Sequence, residues 1–262
     1  MFIHYRTRGL IFKKEDRGEA DELLTIYTED FGRLEISGKA IKKIKSKLRS
    51  RVELFYLSEI EFIQGKTYKT LTDAILIEKF EILRKDLKRL TIAYKISEIL
   101  DNLILGQEPD ENLWHLLNET FGILNNWKIE NSLKIDPPTG GWKLKIIYYY
   151  FLWNFLSILG YEPELYNCLS CQKKLIPEKL YFNLKGGGII CQNCIEKLKL
   201  PNGAKLGIIE INPETVKILR VILEKKWLTV SRLKIEAKYS KELSLISKSY
   251  LSQICEENLS LS

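Results

Sequence analysis

The stretch Leu23-Leu24-Thr25-Ile26-Tyr27-Thr28-Glu29-Asp30-Phe31-Gly32-Arg33-Leu34-Glu35-Ile36-Ser37-Gly38 decides how the first third of the chain is read. Two runs rich in β-branched and aromatic residues flank a short break that carries Glu, Asp and Gly, the pattern of two strands joined by a tight turn. Similar runs recur outward at Tyr5 to Phe12, Val52 to Phe62 and Tyr68 to Ile77, and the third strand is expected from Gly32 to Ala40. Five strands suffice for a small closed barrel, and the pattern alone permits either the oligonucleotide-binding OB-fold or an SH3-like barrel.

After Glu78 the apolar period changes. Leu83, Leu87, Leu90, Ala93, Tyr94, Ile96, Ile99, Leu100 and Leu103 fall at helical spacing and predict one long amphipathic helix. A second helix is expected over Asn112 to Lys128 and a third from about Gly141 to Leu159, after the breaker Asp136-Pro137-Pro138-Thr139-Gly140. The apolar part of the third, Ile146 to Leu159, is shorter than the roughly 20 residues a bilayer requires and contains Asn154 and Ser157, so it reads as a buried core helix. Asn212 and Pro213 supply a cap and a first-turn proline for a helix reaching about Trp227, and Lys241 to Leu259 reads as another. These are expected to return and complete the helical bundle, leaving Asn258 to Ser262 as the only evident tail.

At 262 residues, 45% hydrophobic and 11% aromatic, the chain can bury a sizeable core and is not a disordered polymer. Its 41 Lys and Arg against 34 Asp and Glu give a net +7, which points only mildly to a polyanionic partner. Met1 to Gly9 lacks the apolar stretch and cleavage site of a secretory signal, so a cytoplasmic protein is expected.

The most specific motif is Cys168-x2-Cys171 followed by Cys191-x2-Cys194, separated by Gln172 to Ile190. Two such turns supply the tetrahedral sulfur shell that Zn2+ takes in structural sites, and a closed shell leaves no position for a substrate. The span Leu180 to Ile190, with Tyr181, Phe182 and Gly186-Gly187-Gly188, predicts a hairpin between the two cysteine knuckles. A redox reading, with each pair forming a disulfide, needs a βαβ context that is absent here. Cys255 stands alone.

Between Gly38 and Val52 lie Lys39, Lys42, Lys43, Lys45, Lys47, Arg49 and Arg51 with no acidic residue among them, interleaved with Ile41, Ile44 and Leu48. A solvated surface is the bland account of such a run. Placed between strands of an oligonucleotide-binding barrel, the same run would attract phosphates and release their counterions, giving affinity without sequence selectivity. Tyr27, Phe31, Phe55 and Tyr56 are available for base stacking, although most aromatics of a small barrel are core.

No catalytic set emerges, and the chain is expected not to be an enzyme. His4 and His115 are far apart and outside any metal-hydrolase pattern. Gly65-Lys66-Thr67 imitates the end of a phosphate-binding loop, but Ile60 stands where the first glycine is required, so it reads as a hairpin turn. Asp21, Glu22, Glu29 and Asp30 are ordinary turn acids.

Taken together, Tyr5-Arg6-Thr7-Arg8-Gly9, Gly18-Glu19-Ala20-Asp21-Glu22-Leu23-Leu24-Thr25-Ile26-Tyr27-Thr28 and Gly32-Arg33 resemble the N-terminal pattern of the RecO family of recombination mediators. Leu159-Gly160-Tyr161-Glu162-Pro163 leading to the first cysteine pair, and the glycine triplet leading to the second, are similar to that family's approach to its cysteine cluster. Ser50-Arg51-Val52-Glu53-Leu54-Phe55 departs from the Gly, Leu, Gln, Pro pattern the family more often shows before Phe, and the tail after Trp227 is less recognisable.

The resemblance implies an α+β, multi-domain protein. An OB-fold barrel (1–79) would be followed by the first part of a helical domain (80–162), an inserted zinc element (163–204) and the C-terminal part of the helical domain (205–262). It implies a bacterial, nucleoid-associated, non-catalytic protein that binds single- and double-stranded DNA and anneals complementary strands. With RecR and RecF it would help load RecA onto strands coated by single-strand-binding protein. Arg8 and Arg33 join the seven linker cations as candidate DNA contacts, and Cys168, Cys171, Cys191 and Cys194 are the candidate zinc ligands. The competing reading is a zinc-containing protein-interaction scaffold without direct DNA binding.

Overall fold

A computed structural model describes residues 3–65, 67–127, 142–197 and 207–261. The breaker at 136–140, the start of the third helix at Gly141, Lys66 of the loop motif and the end of the zinc element to residue 204 lie outside the described residues. The chain divides into two compact units, Met1–Lys128 and Ile129–Ser262. The segment 80–162, expected as one part of a helical domain, is therefore shared between them.

In the first unit β1 (His4–Arg17), β2 (Asp21–Thr28), β3 (Gly32–Gly38), β4 (Leu57–Gln64) and β5 (Lys69–Glu78) close a barrel in the order β1-β2-β3-β5-β4. The parallel contact of β3 with β5, at Ile36 with Lys69 and Ser37 with Thr70, seals it. That closure is the OB arrangement and removes the SH3-like alternative. Ile11, Leu24, Ile26, Leu34, Ile36, Ile60 and Phe62 fill the interior. Gly32 sits in the left-handed region, where a Cβ would also lie 2.4 Å from the Glu108 carbonyl oxygen, so the β2–β3 turn needs glycine there.

Strand limits differ from expectation where backbone geometry intervenes. β3 ends at Gly38 because Ala40 turns left-handed, and β4 begins at Leu57 rather than Val52 because Phe55 does so too, with φ of 62°. The long helix splits into α1 (Glu81–Lys85) and α2 (Leu87–Leu103) at Asp86, whose carboxylate caps α2 by accepting from the Lys88 and Arg89 N–H groups. α3 (Glu111–Asn126) follows, capped by Asp110.

The second unit begins with α4 (Trp142–Ile158), whose Ile147, Phe151, Leu152, Trp153 and Phe155 are fully buried as expected of a core helix. β6 (Leu180–Asn183) and β7 (Gly188–Cys191) form the expected hairpin. After α5 (Gln192–Lys197), β8 (Ile208–Ile211) pairs with β6 on its other edge. α6 (Pro213–Glu224), the short α7 (Trp227–Val230) and α8 (Ala237–Leu261) complete the unit, α8 running through most of the expected tail. Trp153 donates its indole N–H to Ser247 of α8 at 3.0 Å. Among the described residues no helix is long and apolar enough to cross a membrane.

Candidate nucleic-acid interface and metal centre

The basic segment leaves β3 as a series of turns rather than a helix. Ile41 and Val52 are buried in the barrel core and Leu48 packs against it, so three aliphatic side chains pin the linker. The Ala40 N–H donates to Asp21 and the Lys42 N–H to the Ala20 carbonyl, tying its start to the β1–β2 turn. Pinning these three leaves the intervening cations, and Ile44 with them, facing outward.

The candidate contacts fall into two classes. Lys39, Lys43, Lys45, Lys47 and Arg49 are exposed and have no carboxylate partner among the described residues. Lys42 pairs with Asp16 at 2.7 Å and Arg51 with Asp73 at 3.1 Å, both partly exposed. Arg8 makes a bidentate pair with Glu29, at 2.6 and 2.5 Å, which raises its pKa further through that hydrogen bond. Arg33 is mostly covered and donates to the Asp101 carboxylate and to the Asp101 and Ile104 carbonyls, joining β3 to the end of α2. Ion pairs of this kind compete with phosphate, so the free positive charge lies on the five unpaired side chains.

The aromatic candidates also divide. Tyr27 and Phe55 are core: the Tyr27 hydroxyl accepts from the Asp110 N–H, and Phe55 packs edge-on to Tyr94. Tyr56 lies beneath the Arg84 guanidinium at 4.7 Å. Phe31 remains half-buried and, with Tyr5, Phe62 and Lys69, lines an open cavity of about 310 Å³. Arg17 over the exposed Tyr68 ring, at 5.7 Å, brings the β1–β2 and β4–β5 turns together. The sequence reading missed that pair, although a tyrosine beside a glycine turn of an expected OB barrel was the available signal.

The four candidate ligands converge: the sulfurs of Cys168, Cys171, Cys191 and Cys194 all lie within 4.8 Å of one another. Cys171 and Cys191 are 3.9 Å apart, close to the roughly 3.8 Å edge of a tetrahedron with metal–sulfur bonds of about 2.3 Å. Local structure explains the convergence. Gln172, left-handed at φ 58°, returns its N–H to the Cys168 carbonyl, and the Cys168 N–H reaches Lys173 to close the first knuckle. The Leu169 N–H then donates to Ile189, stitching that knuckle to β7, which ends on Cys191, while α5 delivers Cys194.

The electrostatics suit a cation. Burial pushes the Cys168 thiol up, but backbone N–H groups of Cys191, Cys171 and Ser170 overcome this and bring it down to about 6. Cys194 is pushed up to about 12, first by its hydrogen bond with Cys191 and then by burial. Cys191 is raised by burial. Without a cation one thiolate is favoured at the expense of its neighbours, whereas a bound cation would stabilise all four as thiolates. These cysteines are all unpaired by disulfides and could hold a metal ion.

Residues 1–80 match the family described as Recombination protein O N terminal, and residues 139–261 match Recombination protein O C terminal. The chain belongs to the RecO family. Among its relatives is a DNA repair protein RecO of Dehalococcoides mccartyi, 30% identical over 253 residues that span 97% of this chain and 91% of the relative. The DNA repair protein RecO of Desulforamulus reducens is 28% identical over 255 residues, covering 97% and 91%. That of Acetivibrio thermocellus is 27% identical over 255 residues, covering 97% and 93%. The RecO N-terminal match takes in the barrel and its basic linker, and the C-terminal match takes in the cysteine quartet.

Proposed function

We propose that this chain is a recombination mediator of the RecO type, whose barrel and linker hold DNA by neutralising its phosphates. The observation that carries the proposal is the linker of 39–52. It has an apolar side committed to the barrel core and five exposed cations, Lys39, Lys43, Lys45, Lys47 and Arg49, without carboxylate partners among the described residues. Such a surface binds single or double strands through counterion release and has no preference among bases. Screening phosphate repulsion lets complementary strands meet and anneal without nucleotide hydrolysis. In repair the same surface would act with RecR and RecF to help load RecA onto strands coated by single-strand-binding protein, in the bacterial cytoplasm.

Zinc is the metal the quartet suits best, because four thiolates at tetrahedral spacing match its preference and leave no open position for catalysis. Its role is to fold the knuckle, since binding free energy becomes folding free energy there.

A salt titration tests the DNA assignment. Replacing Lys39, Lys43, Lys45 and Lys47 with Ala is expected to weaken binding to a labelled single strand and to reduce the slope of log K against log salt by up to about 3, at roughly 0.7 per lost phosphate contact. An unchanged slope removes the linker from the interface. A wild-type chain that binds RecR but no DNA favours the scaffold reading instead.

A further inference from the structure

A second concentration of positive charge lies in the second unit, and the fold rather than the sequence assembles it. Between Lys225 and Ser252 the chain carries seven cations, two acids and many apolar residues, so no run of charge is evident. In the structure all seven cations are exposed. Glu242 is turned inward, where it accepts from the Asn212 N–H and the Thr215 hydroxyl and caps the start of α6. Glu236 is the one exposed acid left, and it is paired with Lys238 at 3.3 Å.

Packing fixes the direction of this face. Val230 is fully buried and Trp227 packs against Tyr150, with ring centroids 5.5 Å apart, which anchors α7. Successive backbone hydrogen bonds from Thr229 to Leu233 continue the coil beyond it. Lys225, Leu228, Thr229 and Arg232 then fall at helical spacing, and all are exposed, with Lys226 and Lys234 exposed beside them. On α8 the buried residues Leu243, Ile246, Ser247 and Tyr250 define the inner side. The outer side presents Lys238, Lys241 and Lys248 over about 15 Å of helix.

Lys226, Arg232, Lys234, Lys241 and Lys248 have no carboxylate partner among the described residues. These five unpaired cations, Lys241 and Lys248 on α8 and the other three on the segments flanking α7, equal the number on the barrel linker. A surface of this kind favours a polyanion with regularly repeated charges. Its exposed apolar content is low, chiefly Leu228 and Leu245, and the inner side of α8 is committed to the core. That disfavours insertion into a lipid surface, which needs a free apolar helix face.

We infer that α7, the turn after it and the outer side of α8 form a second phosphodiester-binding face, which holds a second nucleic-acid strand while the barrel linker holds the first. The inference rests on the DNA-binding reading of the linker and extends it. One chain then carries a cationic site on each of its two units, and bringing two strands to one molecule raises their effective concentration for pairing.

A two-step capture assay with the full chain tests this. Wild-type protein is loaded on an immobilised single strand, washed, and offered a fluorescent, non-complementary single strand. The face variant carries Arg232→Gln, Lys234→Gln, Lys241→Gln and Lys248→Gln, all exposed positions whose loss leaves the melting temperature close to wild type. It is expected to load on the first strand within about twofold of wild type and to take up the second at least about tenfold more weakly, with a salt slope for that step lowered by about 2 to 3. Equal uptake of the second strand by the variant and by wild type overturns the inference. So does a loss confined to phosphatidylglycerol vesicle binding, which would mark a lipid-facing surface. A failed linker reading shows itself separately, as normal first-step loading by the Lys39, Lys43, Lys45 and Lys47 variant.

Discussion

The basic linker of 39–52 and the cysteine loop of 166–179 are both irregular segments attached to a sheet, yet different forces hold them. The linker places Ile41 and Val52 inside the barrel and Leu48 against it. The knuckle has almost no interior: from Tyr166 to Lys179 the only buried residue is Cys168. A segment with an apolar anchor keeps its shape by excluding water from that anchor, whereas a segment without one needs a bond or an ion in its place. The basic linker and the cysteine loop should therefore fail under different treatments.

The largest effect is expected at the knuckle. Cys168→Ser or Cys191→Ser removes one ligand, and structural zinc sites of this type contribute on the order of 10 kcal/mol of binding free energy. The variant should lose bound metal and become open to proteolysis between Tyr166 and Lys179, while the barrel unit melts as before. Chelation of the wild-type chain should reproduce the same pattern. Stoichiometric zinc retained by either variant would end the assignment, and simultaneous melting of the barrel would end the contrast between the two segments.

Next in size is the linker anchor. Ile41→Ala empties a fully packed position, with an expected cost of about 2 to 4 kcal/mol in urea unfolding of the barrel unit. Trypsin should then cut faster at Lys43, Lys45 and Lys47, because the turns that present them lose their attachment. A chelator should not alter that rate. If it does, the linker depends on the metal and the distinction between the two segments is wrong.

What was legible in the sequence follows the same division. The cysteine quartet could be read directly because each pair of ligands is local, and the strands could be read because alternate residues face one core. The start of β4 could not, since Val52 has every property of a strand residue and the left-handed turn at Phe55 is imposed by packing against Tyr94 and Phe121. The split between α1 and α2 was signalled by Asp86, a capping residue inside an apolar period, and the period masked it. Arg8, Arg33 and Arg51 read as free cations because their partners Glu29, Asp101 and Asp73 lie 21, 68 and 22 residues away. The face on α7 and α8 was hidden for the converse reason, since only the fold withdraws Glu242 from among its lysines.

The smallest effect sharpens the comparison from the barrel side. Glu61, on β4, accepts hydrogen bonds from Arg6, His4 and Thr72, and these hold its carboxyl at about 2 against an ordinary value of 4.5. The folded value lies below the unfolded one, so ionised Glu61 stabilises the barrel above about pH 4.5, and that contribution fades as pH falls toward 2. Because the group is partly exposed and screened by salt, the contribution is small. Glu61→Gln should therefore be slightly less stable than wild type at neutral pH, with the difference vanishing in acid and shrinking in high salt. Amide exchange followed at the residues of β1 to β5 isolates this from any acid response of the cysteine loop. A deficit that stayed constant from neutral pH to pH 2 would trace to packing at β4 instead of charge.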